Sequence, residues 1–163
     1  MRPTIPSPLF GNTIQASVMD SESLPWLPLT PHSPSIRIKH FRLDPVSGEM
    51  VSLIRAPAGA HMPRLQHAAS TLVYTLEGQW KLAEYDWIAG PGSVVHIPAQ
   101  TCYQLELMAG AHDTLTLHIT SGDVHLIEDE PNQRSVLNWK TALGRYLAYC
   151  HAHCIAPLDL TAP

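Results

Sequence analysis

His67, Tyr103 and Glu84 are the side chains of this chain best suited to proton chemistry. An imidazole titrates near neutrality, so His67 can take or give a proton. The Tyr103 phenol can donate a hydrogen bond to an oxyanion or an enolate. Glu84, placed in a desolvated pocket, would have its pKa raised and could donate a proton. Ten histidines also invite metal chemistry, and spacing tests each of them. His61 and His67 are six residues apart, which on a continuous strand separates them by roughly 20 Å, too far to share an ion. His96 precedes Ile97 and reaches an interior in only one of two registers. His112 falls in a loop near Gly110. His118 lies in the alternating run Leu115-Thr116-Leu117-His118-Ile119 and shares parity with Thr116, so it is expected to face solvent or the less apolar side of its sheet. Cys150, His153 and Cys154 stand at i, i+3 and i+4, one helical face that could hold zinc. No remote Cys or His pair supplies a fourth ligand, and buried thiols are the plainer reading. Cys102 neighbours Tyr103 with opposite strand parity and also reads as a buried thiol, not a nucleophile.

The elements that position these groups are short. Residues 1–34 hold seven of the fifteen prolines, and proline fixes φ and removes a backbone donor. That stretch is expected to be an irregular arm, with Leu24-Pro25-Trp26-Leu27-Pro28-Leu29 apolar enough to dock on the body or on a partner subunit. From residue 36 alternating runs take over, at 36–43, 50–56, 71–76, 79–84, 93–97, 103–107, 113–120 and 124–127. Turn signals such as Glu77-Gly78, Gly90-Pro91-Gly92 and Ser121-Gly122-Asp123 separate them. Near-even spacing of many short strands indicates an all-β architecture of two sheets or a closed barrel. Val136, Trp139, Leu143, Tyr146, Leu147 and Cys150 recur at helical spacing and predict one C-terminal helix on the outside. The expected organisation is a single domain over 1–163, with an arm at 1–34, a barrel at 35–128 and a helix at 135–154.

Two spacings are more specific. Gly59 is followed after five residues by Leu65, then His67, Thr71 and Gly78; Gly92 is followed after five residues by Pro98, then Gln100, Tyr103 and Leu107. The pair resembles the two cupin motifs, G-x5-H-x-H-x3-E-x6-G and G-x5-P-x-G-x2-H-x3-N. Further pieces resemble the cupin subfamily that holds 2,4′-dihydroxyacetophenone dioxygenase and is related to the cupin-like domain of anti-sigma factors. They include Leu24-Pro25-Trp26, Leu53-Ile54-Arg55, Tyr74-Thr75-Leu76-Glu77-Gly78-Gln79-Trp80, Asp86-Trp87 and Arg145-Tyr146-Leu147-Ala148-Tyr149-Cys150. The resemblance implies a cupin jelly-roll barrel. It also implies that the usual ligand positions point into the barrel mouth, where the family enzyme holds a non-haem iron with three His and a carboxylate. Of the four usual cupin ligand places only His67 keeps its type, because Leu65, Thr71 and Tyr103 fill the other three. Of the subfamily's set, two histidines fall on Leu65 and Tyr103 and the carboxylate falls at or next to Glu84, which leaves His67 and Glu84 as ligands with Tyr103 an unusual third. Leu65, Thr71, Trp80 and His96 are then expected to line a substrate pocket, more apolar than usual and suited to aromatic or conjugated guests.

Composition excludes several classes. Charged residues make up 15% of the chain and the net charge is −4, unlike a nucleic-acid binder with its basic stripe. No apolar run approaches the roughly 20 residues needed to span a membrane. The N-terminus does not read as a signal peptide, and three cysteines without framework spacing favour a reducing cytoplasm. The leading expectation is a small-molecule cupin enzyme without a cofactor, doing acid–base chemistry with His67, Tyr103 and Glu84: isomerisation, cyclisation, dehydration or decarboxylation of a carbonyl compound. One alternative is an iron-dependent dioxygenase, or one using another divalent metal, with a divergent ligand set of His67, Glu84, Tyr103 and His96. The other is a non-catalytic binding protein. A homodimer is expected, since small barrels expose strand edges that need cover.

Overall fold

A computed structural model describes residues 16–30, 33–110, 112–127 and 134–161. Alternating segments pair as two antiparallel sheets. The first runs β1 (Leu27–Thr30), β2 (Ser33–Leu43), β3 (Glu49–Ala56), β9 (Thr114–Ser121), β5 (Thr71–Glu77), β7 (Val94–Ile97). The second runs β11 (Arg134–Leu137), β10 (Val124–Ile127), β4 (His61–His67), β8 (Cys102–Leu107), β6 (Trp80–Leu82). Neighbours in space that are distant in sequence, such as β3 beside β9 and β4 beside β8, give the jelly-roll order. The core between the sheets holds Ile36, Leu43, Val73, Trp80, Ile97 and Leu126, all fully buried.

Three boundaries differ from the sequence reading. Leu27–Thr30, expected within an irregular arm, is a strand paired with β2. Pro28 is tolerated there because β1 is an edge strand. With β1 the barrel begins at Leu27, ahead of the expected start at 35, and it adds β11 at Arg134–Leu137, where a helix was expected to have begun. The helix α1 (Trp139–Ala152) starts later because Asn138 caps it. The Asn138 side chain accepts from the Thr141 N–H at 2.9 Å and the Thr141 hydroxyl accepts from the Asn138 N–H at 3.0 Å. Such a capping box contributes about 1 kcal/mol. The helix buries Ala142, Tyr146 and Cys150. Its Arg145 guanidinium donates to the Pro28 carbonyl at 3.1 Å, which ties β1 down.

The first sheet reverses the usual polarity. On β9, Thr114, Thr116, His118 and Thr120 are buried while Ile119 is exposed and Leu117 half-buried; on β5, Thr71, Val73 and Thr75 are buried while Leu72 and Tyr74 are exposed. The inner face of these central strands is therefore a threonine and histidine surface, and the outer face is aliphatic and aromatic. The inner hydroxyls find partners: Trp80 Nε1–H donates to Thr75 Oγ1 at 2.8 Å, and Thr71 donates to the Ile119 carbonyl and bonds the Thr120 hydroxyl.

Gly78 makes the β5–β6 turn at φ +79°. A Cβ there would lie 2.6 Å from Thr114 Oγ1 and 2.7 Å from Thr114 Cα. Backbone strain and a clash against main chain act together, so Gly78→Ala is expected to cost about 2–4 kcal/mol. Calorimetry should show Tm lower by roughly 5–15 °C; a Tm within about 2 °C of the parent would contradict the packing described.

Candidate functional site

Between the sheets lies a cavity of about 40 Å³. Its walls are mostly aliphatic, with Met50, Met62, Leu65 and Leu126 among them, and its polar groups are Ser52, His67, Tyr103, His118 and Thr120. Register explains the convergence. Leu65 on β4 faces Tyr103 on β8 directly, and His67 follows two residues along the same face. His118 on β9 faces Ser52 on β3 and Val73 on β5.

His67 and Tyr103 form the central pair. His67 Nε2 and Tyr103 Oη are 2.5 Å apart, and the two rings stack with centroids 5.4 Å apart. Burial pulls the His67 imidazole down to about 4 and pushes the Tyr103 phenol well above its ordinary value. Both are neutral at pH 7. His67 Nδ1 is buried with no hydrogen-bond partner among the described residues. We assign the proton of the neutral ring to Nε2, donated to Tyr103 Oη. This leaves Nδ1 as an unpaired lone pair, which is less costly in a protein interior than an unpaired N–H.

His118 lies on the less apolar side of its sheet, one of the two places the sequence reading gave it. Parity with Thr116 holds, and Thr116 Oγ1 lies 2.9 Å from His118 Nε2. The shared face is the interior, not solvent: Thr114, Thr116 and Thr120 are buried with His118, while Leu117 is half-buried and Ile119 exposed on the other side. Burial and the nearby His67 pull the His118 imidazole down to about 3. A third imidazole, His40, lies behind the cavity wall with Nδ1 2.8 Å from Ser52 Oγ, and burial followed by the Arg145 charge holds it at about 4.

The other expected site residues separate. Leu65 lines the cavity. Thr71 is buried, but its hydroxyl is engaged within the sheet. Trp80 is fully buried and borders a smaller void beside Thr114, Thr116 and His118. Glu84 is outside the barrel: the strand ends at Leu82, and the Glu84 carboxylate, exposed, accepts from the Gln104 N–H at 3.2 Å. His96 is also outside, because Val95 and Ile97 take the inward positions on β7; it borders an external groove with Tyr85, Trp87 and Val94. Cys102 is exposed, not buried, since Tyr103 takes the inward position. Cys150 is buried and Cys154 exposed, so the helical Cys-His-Cys face does not converge.

An iron centre of the kind the resemblance implies does not fit these residues. Leu65 and Thr71 offer no imidazole or carboxylate. Tyr103 occupies the Nε2 of His67, and Glu84 and His96 are on the outer surface. Among the described residues no group of three or more His, Cys, Asp or Glu is placed to hold a metal ion. Among the same residues no helix is long and apolar enough to cross a membrane.

Comparison with known proteins agrees with the fold. The family model described as the ChrR cupin-like domain matches residues 14–121. An RmlC-like cupin protein from Ralstonia eutropha JMP134 is 41% identical, with 91% of this chain and 96% of that one covered at a TM-score of 0.85. An acetylacetone dioxygenase from Acinetobacter johnsonii is 13% identical, with 83% and 93% covered and a TM-score of 0.69. A polyketide cyclase from Streptomyces resistomycificus is 13% identical, with 72% and 90% covered and a TM-score of 0.59. At such identities the last two show a shared barrel and nothing more. The search of curated proteins returns no match.

Proposed function

Because the chain belongs to the ChrR cupin-like domain family, a description that names no reaction, its activity must be read from its own pocket, and we propose that it is a small-molecule enzyme working by proton transfer without a metal. The observation that carries this reading is the His67–Tyr103 pair, a buried neutral imidazole with a free nitrogen held beside a protonated phenol. Because Tyr103 sits beyond the other ring nitrogen, His67 Nδ1 removes a proton from a carbon conjugated with a carbonyl through an intervening double bond, as in an enone or the enol of a 1,3-diketone. The Tyr103 O–H donates to the carbonyl oxygen as negative charge develops there, in an apolar surround where such a bond counts for more than in water. The imidazolium returns its proton either to another carbon of the enolate, giving isomerisation, or to a β-hydroxyl as its C–O bond breaks, so that water leaves and neutral His67 is restored, giving dehydration. A base with a conjugate-acid pKa of about 4 suits only carbon acids activated by conjugation or by a second carbonyl.

The substrate class is thus a compact enolisable carbonyl compound with an apolar body. A cavity of about 40 Å³ holds only a few waters, so the wall must open to admit it. Met50 and Met62 line it and are unbranched, able to change rotamer at small cost.

Deuterium exchange into a 1,3-diketone probe in D2O, with the protein pretreated with chelator, tests the reading. Exchange should exceed the buffer rate, with Tyr103→Phe slowing it by about 10²-fold and His67→Gln by more. Exchange that appears only after iron is restored would establish the metal-dependent alternative. A protein that binds carbonyl ligands yet accelerates no exchange would be the binding module instead.

A further inference from the structure

We propose that the inner face of β9 is a proton path between the cavity and the barrel rim, with His118 as its titratable member. The inference rests on the proton-transfer reading above, because a buried base needs a way to trade its proton with solvent. His67 is 3% exposed, so a proton it takes from substrate has no direct exit.

Thr114, Thr116, His118 and Thr120 alternate along β9 and are all buried on one face. His67 and His118 line the same cavity of about 40 Å³, room for a few waters. On its far side His118 Nε2 lies 2.9 Å from Thr116 Oγ1. Beyond it a void of about 10 Å³, close to the room one water needs, touches His118, Thr116 and Thr114. The rest of that wall is largely apolar, with Ile54, Leu105 and Leu107, and Trp80 Nε1 there is already given to Thr75 Oγ1. Thr114 stands against the Gly78 turn. Its neighbour in sequence, Asp113, is exposed 3.7 Å from Arg55, which also lies 3.8 Å from Glu77. The row therefore leads from the cavity to charged groups in contact with solvent. Packing alone does not call for it. Valine has threonine's shape and strand preference, and Val73 takes the facing place on β5.

Each hop balances. The His67 imidazolium gives its Nδ1 proton to water in the cavity, and that water gives one of its own to His118 Nδ1, the nitrogen that Thr116 leaves free for this side. His118 Nε2–H passes its proton to Thr116 Oγ1. The Thr116 hydroxyl proton goes to water in the void, and from there past Thr114 to solvent. A solvent proton entering runs the order in reverse and restores the first tautomer. His118 is neutral at both ends of the hop, in keeping with an imidazole that burial and His67 hold at about 3.

Solvent exchange of the His118 ring proton, read by NMR on the 15N-labelled protein, tests the path with no substrate and no variant. It should outrun the Leu117 and Ile119 backbone amides, which exchange only when this central strand opens. Thr116→Val should slow the ring proton by about tenfold and leave those amides unchanged, and Thr116→Ser should restore the parent rate. A 1,3-diketone carrying deuterium or tritium then reads the path in turnover. Thr116→Val should slow loss of label to water and bring the deuterium-to-tritium rate ratio toward unity, because the abstracted label returns to carbon before it can leave. A ring proton no faster than those amides overturns the proposal, as does a Thr116→Val protein with the parent's ring exchange. Slower label loss at an unchanged rate ratio also overturns it, since a merely structural role does that. Fast ring exchange in a protein that releases no label from the diketone would keep the path and refute the proton-transfer reading instead.

Discussion

Acidification from pH 7 to pH 4 is expected to remove most of the protein's stability, because three imidazoles are buried neutral. His40 and His67 are held at about 4 and His118 at about 3, against about 6.5 in an unfolded chain. Between those values the unfolded state binds protons that the folded state refuses, so stability rises with pH and falls as pH drops below about 6.5. Each pKa unit is worth about 1.4 kcal/mol per group, so near pH 5 the three together withdraw roughly 6 kcal/mol. That is comparable with the whole stability of an ordinary domain. The groups are not independent, since a proton on His67 would raise the cost of one on His118, and Arg145 does the same to His40. Tryptophan fluorescence against pH should show a cooperative loss of structure between about pH 5.5 and 4, well above the range where carboxylates are titrated. A Tm unchanged from pH 7 to 4.5 would mean that these rings are solvated or already charged in the folded state.

The same three histidines show how far the sequence could be read. Motif spacing carried the barrel, because Gly78 and Gly92 sit at positive φ in turns, Leu65 and His67 share one face of β4 by period two, and Tyr103 meets them from β8 on the same face of the sheet. Period two also placed His118 with Thr116. It could not say which face was inside, and hydropathy pointed the wrong way, since β9 buries its threonines and exposes Ile119. Only pairing with β3 and β5 decides that. Glu84 was misplaced for a related reason: the strand stops at Leu82, two residues before it, so spacing borrowed from a longer strand no longer aims the side chain inward. His96 fell on the outer side of a four-residue strand whose register no local signal fixed. The β1 strand was hidden by Pro28, which excludes a central strand but not an edge.

Leu65→His with Tyr103→His is expected to turn the cavity into a metal site. Leu65 and Tyr103 are directly opposed across β4 and β8, and His67 is on the same face two residues along, with its ring already stacked on Tyr103. Histidine at both positions would bring three imidazoles to one cavity and remove the phenol that now engages His67 Nε2. Three protein ligands with open positions meet the usual requirement of catalytic zinc and iron sites. Titration with zinc, nickel or iron(II) should pass from no saturable uptake in the parent to one equivalent per chain with micromolar or tighter affinity. Uptake should weaken below about pH 6, since protons compete for the same nitrogens. Diketone exchange should fall at least as far as in Tyr103→Phe, because the donor to the substrate oxygen is gone. Comparable uptake by the parent would assign the pocket to metal chemistry. No uptake by the double variant, with its fold intact, would mean that positions 65, 67 and 103 do not converge, and the proton-transfer pair would fall with them.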